Sequence, residues 1–326
     1  MTRTIPMTFI LAGGLASLLG CTRQTPGQHF DQPMTFAGKA VPAAVLNKGS
    51  QDYTLYCRSC HGDKGDGMGP SSAGLKPPPR DFRQAQFKFG WVIDGMPSDE
   101  DFKRIITGGL HGTAMLAWDV PDRELGPITQ YIKTFAPDDW KDAQIGTAIV
   151  PSADPWGEAK KVEAVERGKV VYHGVAQCSS CHPAYASRQF VADARGPGSA
   201  VSFRDAMYMP EMKESMYTHA GSKVSYMPPD FTWTPLRSIR AGKELGDLYS
   251  LIGAGIPGTA MPSWKGALPE EDLWALAYYV DSLTRMRGTE SAQKLRDDMK
   301  SQPDYIPPAP AEPPPTGASA STSTGM

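Results

Sequence analysis

"LYCRSCHGDKGDGMGP", residues 55–70, places two cysteines two residues apart, a histidine directly behind the second, and a glycine-rich run after that. The same five-residue pattern returns as "CSSCH" at Cys178–His182. A disulfide between Cys57 and Cys60 would close so small a loop that it restrains the unfolded chain little. It would also give the adjacent histidine no role. A structural zinc site takes four ligands, usually as two close pairs. Each copy here offers one pair and one histidine. A thioredoxin-like redox pair expects a strand leading into a helix, whereas the flanking segments read as helical.

The repeat extends beyond the cysteines. After "CRSCH" come "PPPRDF", "DEDFKRIITGGLHGTAMLAW" and "PDRELGPITQYIKTF"; after "CSSCH" come "MPPDF", "GDLYSLIGAGIPGTAMPSW" and "PEEDLWALAYYVDSL". Each copy predicts three helices. The first leads into the cysteines, from Lys48 to Cys60 and from about Ala159 to Cys181. The second runs over Ser98–Thr107, with Ser98 as N-cap and Asp99, Glu100 and Asp101 in the first turn, and over Lys243–Ile252. The third runs over Asp122–Phe135 and Pro269–Arg285, where Leu273, Leu276, Ala277 and Val280 share one face. No alternating strand pattern stands out, so the expected fold is all-α: two small helical domains.

Cys-x-x-Cys-His is the attachment pattern of covalent c-type haem. On a helical turn two thiols reach the two vinyl groups on one porphyrin edge, and the next residue turns its imidazole to the iron. That assigns Cys57, Cys60 and His61, and Cys178, Cys181 and His182, to two covalently bound haem c groups. Haem also gives a domain of this size a large flat hydrophobe to pack around. Gly65, Gly67 and Gly69 would clear side chains from the haem face. A carbonyl near Pro70, and one near Pro197 in the second copy, would accept from the other nitrogen of the histidine.

The two segments resemble tandem class I c-type cytochrome domains, as in dihaem lipoprotein cytochromes. The resemblance covers most of residues 45–138 and 157–290. It implies that the methionine of each Gly-Thr-Ala-Met loop, Met115 and Met261, is the sixth iron ligand. A thioether opposite histidine suits electron transfer and raises the potential. Leu116 departs from the proline expected after the first methionine. The second copy lacks the glycine run and carries instead an insert at about 200–228, with Met207, Met209, Met212, Met216, Met227 and His219. Soft ligands at this density could hold Cu(I); the plainer reading is a lid over the haem edge or a partner surface. His29, His111 and His173 read as surface or packing residues.

The ends of the chain differ from its middle. Residues 1–20 carry one early charge at Arg3 and then an apolar run too short to span a bilayer, which takes roughly 20 residues; they read as a lipoprotein signal peptide. Leu18-Leu19-Gly20-Cys21 resembles a lipobox, which makes Cys21 the acylated first residue of the mature chain. Residues 21–44 read as a tether, 139–156 as a linker, 157–301 as the second domain with its insert, and the Pro-, Ala- and Ser-rich residues 302–326 as a disordered tail.

Among 326 residues the net charge is −2 with no basic block, which argues against nucleic acid. The expected protein transfers electrons between a redox donor and a redox acceptor. It is a carrier and not an enzyme, free or within a respiratory complex, lipid-anchored on the periplasmic side of a bacterial membrane. The alternative is a dihaem enzyme such as a bacterial cytochrome c peroxidase, which needs one haem with an open position.

Overall fold

A computed structural model describes residues 27–196, 203–303 and 305. It is mainly helical, with three two-stranded ribbons. The signal peptide, Cys21, Pro197 and nearly all of the C-terminal tail lie outside the described residues.

The chain enters through β1 (Met34–Phe36) and β2 (Lys39–Val41), an antiparallel hairpin. This corrects the tether expected over residues 21–44: Phe30, Phe36 and Val41 are buried in the first core. Their apolar positions follow no period, so the sequence hid the packing. Next come α1 (Ala43–Tyr56) and the single turn α2 (Arg58–His61), separated at Cys57. The helix expected over Lys48–Cys60 is therefore two helices. Then follow β3 (Val92–Ile93), α3 (Asp99–Gly108), α4 (Asp122–Lys133) and α5 (Pro137–Lys141). In α3 the Ser98 hydroxyl accepts from the Asp101 N–H while the Asp101 carboxylate accepts from the Ser98 N–H, a full capping box.

The segment 139–156 is structured. Trp140 is fully buried in the first core, β4 (Thr147–Ala148) pairs with β3, and Ile149 enters the second core. Phe89 and Trp91, from the first repeat, also pack into that second core. The domains thus share their seam as a common interior.

The second repeat begins with α6 (Lys161–Val170), which continues as a wider π-helical stretch over Val171–Val175 and ends in a short 3-10 turn at Cys178–Ser180. A continuous helix from Ala159 to Cys181 was expected. The interruption has a cause. Tyr53 lies four positions before Cys57, whereas Tyr172 lies six before Cys178. A widened turn absorbs extra residues without rotating the rest of the helix. Beyond the cysteines lie α7 (Arg188–Arg195), the hairpin β5 (Lys213–His219) and β6 (Ser222–Tyr226), α8 (Glu244–Ala254), α9 (Glu270–Arg285) and α10 (Glu290–Lys300). Leu273, Leu276, Ala277 and Val280 of α9 are buried, as their shared face required.

In both repeats the first and last helices cross at a glycine. A Cβ on Gly49 would lie 2.1 Å from the Pro127 carbonyl oxygen, and one on Gly168 2.0 Å from that of Ala275. One turn on from each glycine stands a buried tyrosine. The Tyr53 hydroxyl donates to the Gly62 carbonyl at 2.8 Å and the Tyr172 hydroxyl to the Pro183 carbonyl at 2.9 Å, each just behind the motif histidine. These pairs tie helix crossing to motif position, and the sequence reading missed them.

Candidate functional site

Each motif histidine is held in the same way. His61 Nδ1 lies 3.1 Å from the Arg80 carbonyl oxygen and His182 Nδ1 lies 3.0 Å from that of Pro229. The carbonyls expected near Pro70 and Pro197 are replaced by these, which precede Asp81-Phe82 and Asp230-Phe231 of the repeated "PRDF" and "PPDF". The rings then stack: His61 on Phe82 at 4.5 Å and 16°, His182 on Phe231 at 4.8 Å and 21°. With Nδ1–H given to a carbonyl, Nε2 keeps its lone pair. Burial pushes both imidazoles toward the neutral form, His61 to about 4. A neutral imidazole with a fixed tautomer is the form that ligates a metal.

The thiols fit the same reading. Cys57, Cys60, Cys178 and Cys181 are unbridged. Burial pushes Cys57 and Cys178 up to about 12, so neither is the activated thiolate of a redox switch.

The glycine run after His61 serves the backbone. Gly67 N–H donates to the His61 carbonyl at 2.9 Å and Gly69 N–H to the Cys60 carbonyl at 3.1 Å. A Cβ on Gly69 would meet the Ser59 carbonyl at 2.3 Å, and one on Gly65 the Phe135 ring at 2.6 Å. The crowding that demands glycine comes from the chain itself. In the second copy the insert performs this task. Glu211 N–H donates to the Cys181 carbonyl at 2.9 Å, and the Arg204 guanidinium donates to the carbonyls of Ser179 and His182 at 3.2 and 3.0 Å.

The two Gly-Thr-Ala-Met loops are built alike. Leu110 N–H donates to the Met115 carbonyl and Ile256 N–H to the Met261 carbonyl, at 2.7 and 3.1 Å. The Thr113 hydroxyl donates to the Leu110 carbonyl and accepts from Met115 N–H, and Thr259 does the same with Ile256 and Met261. Leu116 in place of proline leaves this pattern intact. Met115 and Cys57 pack against the first core. Cys178, Cys181, His182 and Met261 line one cavity of about 1080 Å³, walled by Tyr185, Phe231, Leu248 and Trp264. A deep, mainly apolar space with two thiols and a neutral imidazole beside a thioether suits a covalently attached haem.

The insert, read as a lid or partner surface, forms the β5–β6 hairpin and binds both sites. Met216 N–H donates to the Gly258 carbonyl at 3.1 Å, and the Tyr226 hydroxyl accepts from Ala260 N–H, both in the second methionine loop. On the other side Tyr217 accepts from Asp81 N–H, and the Gln84 side chain bridges Thr218. Met207 is buried, whereas Met209, Met212, Met216 and Met227 are exposed. His173 is a packing residue: Nδ1 faces the Lys169 carbonyl and Nε2 accepts from Tyr185 N–H at 3.1 Å.

The sequence model of the family cytochrome c oxidase, cbb3-type, subunit III matches residues 44–132 and 163–280. A chain of the Kuenenia stuttgartiensis reducing HAO-like protein complex is similar in structure, with 26% identity and a TM-score of 0.55 over 72% of this chain and 95% of that one. Among curated proteins none matches the sequence significantly.

Proposed function

The chain belongs to the family described as cytochrome c oxidase, cbb3-type, subunit III, a tandem c-type cytochrome with a haem electron-carrier role, and on that premise we propose that it carries two haems as a relay between redox partners. Cys57 and Cys60 hold the first haem by thioether bonds, and Cys178 and Cys181 the second. His61 and His182 would each give a ring nitrogen to a haem iron, and Met115 and Met261 a thioether sulfur. Bound haem supplies a one-electron couple at iron. The chain fixes each imidazole through a backbone carbonyl and a stacked phenylalanine, holds each methionine in a threonine-braced loop, and lines the second cavity with aromatic side chains.

The observation that carries this reading is the identical bracing of both histidines and both methionines. A peroxidase would need one open axial position, and the equivalence of the two loops disfavours that. Two irons per chain are expected, with low-spin spectra and a methionine–iron charge-transfer band that weakens stepwise in Met115→Ala and Met261→Ala. A high-spin or bis-histidine haem in the resting wild type would overturn the carrier reading.

The family description and the neighbour's place in a complex support a role as a subunit of a respiratory assembly. The Leu18–Cys21 pattern supports acylation at Cys21 and a location on the periplasmic side of a membrane. Among the described residues no helix is long and apolar enough to cross a membrane. Cys21→Ser should release the protein from membranes without loss of haem; a wild type that is soluble and unlipidated would end the idea.

A further inference from the structure

Three basic side chains come together at the seam between the domains, and among the described residues none of them is in an ion pair. Lys88, from the first domain, and Arg237, from the second, line the same cavity as Cys178, Cys181, His182 and Met261. Arg80 is close enough to repel both, and its guanidinium lies 3.8 Å from the centroid of the Tyr217 ring. Lys88 also faces the Tyr226 ring, at 5.2 Å. Among the described residues no ion pair joins Arg80, Lys88 or Arg237 to an acid. The carboxylate beside Arg80 and the one lining the cavity are committed elsewhere. Asp81 is bound by the Arg83 side chain at 2.9 and 2.7 Å, and attracts Arg80 only at longer range. Asp230 accepts from the hydroxyls of Tyr185 and Thr232 and from the Thr232 N–H.

Burial disfavours the charged form of all three, and the two domains' cations act on one another. Lys88 is pushed down to about 8, first by burial and then by Arg80 and Arg237. Arg237 is lowered by burial, and Arg80 by burial and by Arg237. The three side chains are half-buried; an unpaired charge drawn partly out of water is costly, and like charges facing each other across an interface repel. Yet the seam is closed. Tyr217 accepts from Asp81 N–H at 2.8 Å, Gln84 bonds Thr218, and His111 N–H donates to the Arg237 carbonyl at 2.9 Å. A closed interface that concentrates positive charge at the wall of a cavity is a site for an anion.

We propose that Lys88 and Arg237, backed by Arg80, form a cationic clamp for the carboxylates of the haem in the second cavity, so that the first domain supplies part of the second domain's cofactor site. The proposal rests on the haem reading above. It makes the domain arrangement and the second redox centre interdependent: Lys88 reaches the cavity only while the seam is closed. A cation at this place favours the reduced centre, which carries one positive charge fewer than the oxidised one.

The test is a spectroelectrochemical titration of the full-length holoprotein. Lys88→Gln and Arg237→Gln should each move one of two redox waves to lower potential and leave the other in place. Lys88→Arg should restore the wild-type position. The wave that moves should be the one displaced by Met261→His, since the axial ligand sets the potential. Lys39→Gln, at an exposed lysine of the first domain, should move neither. Both waves unchanged in Lys88→Gln and Arg237→Gln, with haem still bound, would overturn the clamp. So would an equal shift in Lys39→Gln, which would reduce the effect to net charge. A wild-type wave that follows added inorganic phosphate, lost in Lys88→Gln, would place a free anion in the clamp instead of the haem carboxylates. The mass of the peptide spanning Cys178–His182 tests the haem reading separately: a peptide without haem in the wild type would defeat that reading itself.

Discussion

The Tyr217 hydroxyl accepts the backbone N–H of Asp81 at 2.8 Å, although the two residues are 136 positions apart and belong to different repeats. The peptide preceding that N–H carries the Arg80 carbonyl, which receives His61 Nδ1. A side chain from the second domain's insert therefore steadies the group that orients the first domain's histidine.

Tyr217→Phe keeps the ring beneath Arg80 and removes only the hydroxyl. The buried Asp81 N–H then loses its partner, at a cost of about 1–3 kcal/mol. Chemical denaturation of the full-length protein should show this loss. The redox wave of the first haem should move while that of the second stays. A shift of the second wave alone would contradict the contact's assignment to His61.

The helix crossings tolerate no Cβ. Gly49→Ala and Gly168→Ala would each place a methyl group about 2 Å from a backbone oxygen of the facing helix. The helix must move, and overpacking of this kind costs about 1–3 kcal/mol, more than the helix propensity that alanine returns. Thermal unfolding should fall by several degrees in each variant. Gly126→Ala, where a Cβ meets nothing within 4 Å, should not lower it.

Fully buried His173 links stability to acid. Burial lowers it to about 4, while its unfolded value is near 6.5. Between those values the unfolded chain binds a proton that the folded chain refuses. The contribution is complete above about pH 6.5 and drains as pH falls toward 4, by about 3 kcal/mol in total. Denaturation midpoints at pH 7.5 and 4.5 should differ more in wild type than in His173→Gln. An equal pH dependence in the two proteins would exclude this histidine as the source.

Thr113→Val and Thr259→Val remove the hydroxyls that brace the two methionine loops. Each loses a hydrogen bond to the methionine N–H and one to a loop carbonyl, roughly 1 kcal/mol apiece. The methionine–iron charge-transfer band should weaken at one haem while covalent haem content stays at the wild-type level. A band unchanged in both variants would show that core packing alone holds the sulfur.

Much of this architecture is local chemistry, and local chemistry is legible in sequence. Cys-x-x-Cys-His, Gly-Thr-Ala-Met and the acidic starts of α3 and α9 each act within one or two turns, so their spacing reveals them. The repeat was legible for the same reason. The partners of His61 and His182 were not, because Arg80 and Pro229 lie 19 and 47 residues away and contribute only a backbone carbonyl, which any residue possesses. Gly49 and Gly168 gave no sign either, since their role is set by a helix that meets them from far along the chain. The short ribbons and the buried Phe30 and Phe36 follow no period. The positions of Lys88, Arg237 and Tyr217 depend on how two domains pack, and charges that look unremarkable in a line of residues become uncompensated only when the fold brings them together. The sequence by itself determined two Cys-x-x-Cys-His motifs, two methionine loops and their helices; the tertiary structure alone decided that they share a seam, because only packing converts distant residues into neighbours.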